Sequence, residues 1–261
     1  MIDINSRILG ELKNGSIAQE QGIMTAMEYG RLGYDKLVSA SELSFNTRPL
    51  NHEEKQYSID RFNEALQMNG VDVEILTGNL IDCNFDNLKY LDQGYISSVN
   101  YSRYLLVQLP SAGVFPDLNE YIYELELRGY VPIICHPERC IYVQEDTDYL
   151  LELKYRNCLI QISLSSLSKK FDSRSFKCAR ELLNRSMVDL VGSEVENSYE
   201  VADVLGNLKN LRKMVDVDYY DILTKLNPEL VIEDEYVDRL KALDKNAKSK
   251  KRGIRLRRRK G

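Results

Sequence analysis

The chain has 261 residues, 43% hydrophobic and 29% charged, a length that accommodates one large domain such as a parallel β/α barrel. No apolar run approaches the roughly 18 residues of a membrane span. The opening Met1-Ile2-Asp3-Ile4 lacks a basic region followed by an apolar stretch, so neither a membrane-spanning nor a secreted protein is expected, and the cytoplasm is the predicted compartment.

Five cysteines (Cys83, Cys135, Cys140, Cys158, Cys178), without a CxxC pair, fit neither a disulfide framework nor a zinc knuckle. They read as reduced thiols filling a core. The net charge of −5 conceals an asymmetry: residues 241–261 carry eleven Lys or Arg against Asp244, a net +10, which leaves residues 1–240 at −15.

Short β-branched or apolar runs alternate with longer amphipathic ones, the signature of repeated βα units around a parallel sheet. In chain order the expected strands are Met1–Ile4, Lys36–Ser41, Val73–Leu76, Leu105–Leu109, Val131–Cys135, Leu159–Leu164 and Val188–Gly192. Between or after them, apolar residues at three- and four-residue spacing predict helices over Ser16–Leu32, Glu53–Met68, Asp117–Arg128, Asp146–Tyr155, Ser175–Asn184 and Tyr199–Leu211. Gly33, Gly70 and Gly129 sit where a left-handed cap would stop a helix. Residues 1–240 are thus expected to form a barrel domain. Residues 245–261 hold only Ile254 and Leu256 as sizeable apolar side chains, too few to offset the entropy of ordering, so residues 241–261 are expected to be a disordered basic tail.

Chemistry in βα barrels sits on the loops that follow the strands. There the sequence places Asn5, Ser6 and Arg7; Glu42; Gly78 and Asn79; Gln108; His136-Pro137-Glu138-Arg139; and Glu194, Val195 and Glu196. Read from the residues alone, His136 before proline fits a hydrogen-bonded structural role as readily as a ligand's. Glu194 and Glu196 also fit a solvated loop, and Arg139 fits either an anion contact or solvent. No Walker loop, GxGxxG, GxSxG or HExxH is present, which removes the usual marks of nucleotide-dependent and triad chemistry.

Several of these segments carry a resemblance. MIDI, KLVSAS before Glu42, YLLVQLP, GYVPIICHPERC, LIQISLSSL and the stretch around GSEVEN look like manganese-dependent bacterial tyrosine-protein phosphatases of the polymerase-and-histidinol-phosphatase family, found in capsular and exopolysaccharide loci. The resemblance covers roughly residues 1–210, with HPER its most specific part. It implies an α/β fold, a distorted seven-stranded TIM-like barrel, with a metal cluster in its mouth and hydrolysis of phosphotyrosine on a partner kinase.

The departures from the family pattern bear on chemistry. Where that pattern carries His-x-His after the first strand, this chain has Asn5 and Arg7. Its Asp-Asp-Gly is Lys13-Asn14-Gly15, its histidine after the second strand is Glu42, and its glutamates are Asn79 or Leu80 and Gln108. Its closing Ser-Asp-x-His is Ser193-Glu194-Val195-Glu196, and His136 alone is retained unaltered.

Divalent transition metals need carboxylate or neutral imidazole ligands converging at about 2 to 2.3 Å. Asn5 and Gln108 are weaker neutral donors, and Arg7 is a permanent cation with no lone pair to give. No metal is therefore expected. Were one bound, His136, Glu42, Glu194 and Glu196 would be the ligands, manganese or another divalent cation the ion, and His136 and Glu194 the catalytic residues. Instead, Arg7 is expected to pair with Glu194, Glu196 or Glu42 where the cation would sit, with Asn5, Gln108 and Arg139 as further binding residues. The expected function is a pseudophosphatase that binds a tyrosine kinase or polysaccharide-export component; the alternative is an active phosphatase with an altered site. The tail is expected either to remain solvated or to dock on anionic lipid at the inner membrane face, and nucleic acid is not an expected partner.

Overall fold

Seven apolar runs, bounded by turns, pair in chain order. A computed structural model describes residues 1–9, 16–42 and 49–238. The strands are β1 (Ile2–Ser6), β2 (Lys36–Glu42), β3 (Glu74–Asp82), β4 (Tyr104–Gln108), β5 (Val131–Cys135), β6 (Leu159–Ser163) and β7 (Leu190–Gly192), all parallel in the order β1 to β7. Ten α-helices are described: α1 (Ser16–Arg31), α2 (His52–Met68), α3 (Asp86–Asp92), α4 (Leu118–Leu127), α5 (Ile141–Glu145), α6 (Tyr149–Tyr155), α7 (Ser173–Asn184), α8 (Ser198–Met214), α9 (Val217–Asp221) and α10 (Asn227–Ile232). The expected α/β architecture, a seven-stranded sheet nearly closed into a barrel, is the one found.

Period-two alternation divides the strand side chains between two cores. Leu105 and Val107 of β4 pack outward with Tyr121 and Leu125 of α4. Tyr104 and Leu106 point inward with Ile4, Val38, Ile133, Leu159 and Leu190. The inner core is stoppered at the N-terminal ends of the strands by Val231, Ile232 and Val237. There Arg103 bonds Asp234 at 2.9 Å and the Tyr104 hydroxyl donates to Glu235 O at 2.7 Å.

The seam between β1 and β7 closes through backbone bonds beyond the strands: Glu194 N to Asn5 O at 2.8 Å and Arg7 N to Val195 O at 2.9 Å. Below them the buried Asp3 carboxylate accepts from Asn5 N (3.0 Å), Ser193 N (3.3 Å) and the Tyr29 hydroxyl (3.2 Å). Burial outweighs these donors and raises its pKa.

The distortion lies between β3 and β4, which pair only from Leu80 to Asp82. Part of the uncovered β3 edge is taken by Ser97, whose O accepts from Asn79 N at 2.9 Å. Asn79 Oδ1 in turn accepts from Ser97 N and from Lys55 Nζ at 2.6 Å.

Differences from the sequence expectation have local causes. β3 runs to Asp82 rather than Leu76, because Thr77-Gly78-Asn79 is strand here and not turn; a Cβ at Gly78 would lie 2.6 Å from Val38 Cγ1, so glycine admits the neighbouring strand. α6 begins at Tyr149 instead of 146, since the Asp146 side chain accepts from Asp148 N at 2.9 Å and builds a turn. The short helices α3, α5, α9 and α10 are too brief to show a period. Gly33, Gly70 and Gly129 do take left-handed φ of 83°, 67° and 82°. Lys13-Asn14-Gly15 and the tail lie outside the described residues, as does the side chain of Glu42.

Candidate functional site at the barrel mouth

Strand ends β1, β5, β6 and β7 converge on one carboxylate. Glu194 follows β7 at a left-handed φ of 60°, and His136 follows β5 at 38°. Neither is glycine, so both positions cost energy that the surrounding packing must offset. The turn at His136 is fixed by its N–H donating to Gln161 O at 2.7 Å, and Pro137 then starts a single 3₁₀ turn that carries Arg139.

Arg139 grips Glu194 with both terminal nitrogens, Nη1 to Oε1 at 3.1 Å and Nη2 to Oε2 at 2.6 Å. Its Nη2 also reaches Ser163 Oγ (2.9 Å) and Ser165 Oγ (3.0 Å). The Ser163 hydroxyl donates to Glu194 Oε2. Arg7 Nη2 stands 3.8 Å from Glu194 Oε1, while its Nη1 pairs with Glu196 at 3.4 Å. His136 Nε2 is 3.3 Å from Glu194 Oε1, and Phe171 stacks 4.9 Å from the Arg139 guanidinium.

Burial sets the charges. It pushes His136 down to about 4, against the pull of Glu194, so the imidazole is neutral at pH 7. Burial alone would raise Glu194, but His136, Arg139, the Ser163 hydroxyl and Arg7 hold it below the usual carboxylate range. With His136 neutral, the two guanidiniums supply the cationic charge. Glu138, fully buried and accepting from Ser163 N at 3.0 Å, is pushed up by burial to about 7. Burial likewise raises the Cys135 thiol, and lifts Cys140 to about 11, which suits core filling and not a thiolate nucleophile.

Of the residues singled out in the sequence, Arg7, His136, Arg139, Glu194 and Glu196 come together. Asn5 lies below them, donating to Gln161 Oε1 at 3.2 Å; its own Oδ1 and Gln161 Nε2 are buried without partners. Gln108 instead joins Asp82 at 3.3 Å. Ser163, Ser165, Gln161 and Phe171 join this site without having been singled out in the sequence, and Glu138, named there only within HPER, proves to be fully buried beneath it. The polar residues at the end of β6 obey the strand-end rule that found the others, and that rule was the available signal.

These donors do not fit a divalent cation. Both oxygens of Glu194 are taken by guanidinium and hydroxyl, Glu196 is 59% exposed against Arg7, and a cation there would face two arginines. Among the described residues no three His, Cys, Asp or Glu side chains are grouped to hold a metal.

Residues 1–233 match the family described as capsular polysaccharide synthesis, CpsB/CapC. The tyrosine-protein phosphatase YwqE of Bacillus subtilis is 24% identical over 197 residues, covering 76% of this chain and 78% of that protein. The tyrosine-protein phosphatase CpsB of Streptococcus pneumoniae is 26% identical over 202 residues, 76% of this chain and 83% of its own. The fold matches a chain from the crystal structures of YwqE and CpsB, described as metal-dependent tyrosine phosphatases, with a TM-score of 0.75 and 22% identity over 91% of this chain and 96% of that one. The barrel, the strand-end segments that carry the resemblance and the match over residues 1–233 agree: the chain belongs to the CpsB/CapC family of capsular polysaccharide synthesis.

Proposed function

We propose that this protein is a pseudophosphatase, a phosphatase-like barrel that binds a component of capsular or exopolysaccharide synthesis, such as a tyrosine kinase, without metal-dependent hydrolysis. One observation carries the reading: Arg139 and Arg7 occupy both flanks of Glu194, so guanidinium stands where metal chemistry would require open lone pairs. Elemental analysis of the native protein, paired with a phosphotyrosine-peptide assay, tests it. The expected result is no stoichiometric transition metal and no manganese-dependent turnover. Manganese-dependent hydrolysis lost in His136→Ala would overturn it.

The second reading is an active metal-dependent phosphatase in which His136 and Glu194 act, with Glu42 and Glu196, on a bound manganese or similar ion. It is favoured by the names of the relatives and by the His136–Glu194 approach of 3.3 Å. Thermal unfolding with added manganese separates the two, because a cation at a hundred times its dissociation constant would stabilise the native state by about 2.7 kcal/mol. The described residues contain no helix long and apolar enough to cross a membrane, and peripheral attachment at the inner face is assigned to the basic tail. Deleting residues 245–261 should abolish association with anionic vesicles.

A further inference from the structure

Residues 169–180 run against the charge of the barrel that carries them. Lys169, Lys170, Arg174, Lys177 and Arg180 are five exposed cations against one acid, Asp172, a net +4 within a strongly acidic body. Several exposed cations elsewhere are held by carboxylates, Lys89 by Asp86, Arg128 by Asp92 and Lys225 by Asp221, each at 2.9 Å. Among the described residues none of the five has such a partner. Asp172 is committed to capping α7, accepting from Arg174 N at 3.2 Å and Ser175 N at 2.7 Å. Glu181 and Asp148 are taken by Arg185. Glu145 of α5 and Asp203 of α8, the helices packed against α7, are exposed and stay outside ion-pair distance of the stretch.

The cations form a stripe because α7 turns its apolar side inward. Phe176, Ala179, Leu182 and Leu183 are buried, which leaves Arg174, Lys177 and Arg180 at three-residue spacing on the outer side. The Phe176 ring lies under two of the cations, 5.5 Å from Lys169 Nζ and 6.0 Å from the Arg180 guanidinium, and helps to fix them. Phe171, 56% exposed, stacks on Arg139 at 4.9 Å, so the stripe starts beside the mouth and runs down the barrel wall.

We infer that the outer face of α7, from Lys169 to Arg180, docks an acidic peptide segment of a protein partner through its carboxylate side chains. The inference rests on the binding-protein reading and names the chemistry by which the partner is recognised. Neighbouring cations without counter-charges repel one another, and a row of carboxylates laid along them relieves that repulsion and steers the encounter. From Arg174 to Arg180 the helix rises about 9 Å, which about three residues of extended chain cover, so a short acidic strand reaches all three side chains. The shape favours a peptide over a lipid surface. The stripe is one helix wide and is bordered by Glu145, Asp148 and Glu181, which a plane of anionic headgroups would meet and a single strand avoids.

The test is fluorescence-polarisation titration of the full chain, in EDTA and at low salt, with a labelled alternating Glu-Ala peptide as probe and its Gln-Ala counterpart as control. The Glu-Ala peptide should bind and the Gln-Ala peptide should not. Reversing three charges together, Lys170→Glu, Arg174→Glu and Lys177→Glu, should weaken binding about tenfold or more. Reversing three in the tail instead, Arg257→Glu, Arg258→Glu and Arg259→Glu, changes the net charge equally and should weaken it less. Equal losses in the two variants would mean that the peptide reads net charge alone, and would overturn the inference, as would full affinity in the α7 variant or no binding by wild type. The three α7 side chains are exposed, so the fold should survive; the milder Lys170→Gln, Arg174→Gln and Lys177→Gln set must also weaken binding, and no change there is equally fatal. Anionic vesicles form the second arm. Association lost in the α7 variant while peptide binding persists would make lipid the occupant and sink the proposal. Manganese-dependent hydrolysis, measured separately, would end the pseudophosphatase reading and leave this titration to decide the α7 face alone.

Discussion

Replacing Arg139 by glutamine leaves the carboxylate of Glu194, 9% exposed, without its bidentate partner. Breaking a buried ion pair from one side costs about 3–5 kcal/mol. Arg139 is 28% exposed and Arg7 remains at 3.8 Å, so the cost here is expected nearer 2–3 kcal/mol. For a domain of this size that lowers Tm by about 4–12 °C. Glu194→Gln removes the charge while Arg139 keeps Ser163 and Ser165, and should cost about 1–2 kcal/mol. In the double variant no carboxylate is stranded, so its loss should fall short of the two single losses together by about 1–3 kcal/mol.

The pH dependence has a definite sign. The folded-state pKa of Glu194 is lowered, so the pair stabilises the protein above the carboxylate's unfolded pKa, and that contribution is lost as pH falls through the folded value. Wild type and Arg139→Gln should accordingly converge in acid. Thermal unfolding of the four proteins at pH 7.5 and in acid measures all of this. Losses that add to within about 0.5 kcal/mol would mean that the guanidinium and the carboxylate are not partners, and the electrostatic account of the mouth would fail.

Gly192→Ala should destabilise by about 1–3 kcal/mol from overpacking, because its Cβ would fall 1.7 Å from Gln161 Nε2 and 2.8 Å from Asn5 Cβ; urea denaturation measures the loss, and Gln161→Ala in the same chain should recover part of it. Glu138, whose folded pKa is raised to about 7, holds its proton more tightly when folded. Wild-type stability therefore falls as pH rises from about 4.5 to about 7, and Glu138→Gln, which has no charge to bury, should gain up to about 3 kcal/mol on wild type above pH 7 and nothing below 4.5, read from unfolding curves across that range.

The strands were legible because parallel strands buried on both faces become apolar runs such as YLLVQ and LIQIS. The second half of β3 was not, because glycine beside asparagine carries a turn signal, and only the position of Val38 explains why a strand tolerates it. At the mouth, HPER and GSEVEN were legible as strand-end segments. Their joining was not, since Arg139 and Glu194 are 55 residues apart and no local pattern encodes the pair. Ser163 and Ser165 stayed hidden because a hydroxyl takes its meaning from its neighbours, and Glu138 because burial, which sequence spacing does not report, creates its raised pKa.

The closure of the barrel and the chemistry of its mouth rest on different atoms. β1 and β7 are joined through main-chain groups of residues 5, 7, 194 and 195, and through the Asp3 carboxylate. None of these bonds uses the side chain of Asn5, Arg7, Glu194 or Glu196. Those side chains can therefore differ from a metal-binding set without opening the seam, provided that charge still balances in a setting where a carboxylate is mostly removed from water. Arg7 and Arg139 supply that balance. Retention of the fold thus places no demand for a metal on these positions, and their side chains must be judged by the charges and lone pairs they bring.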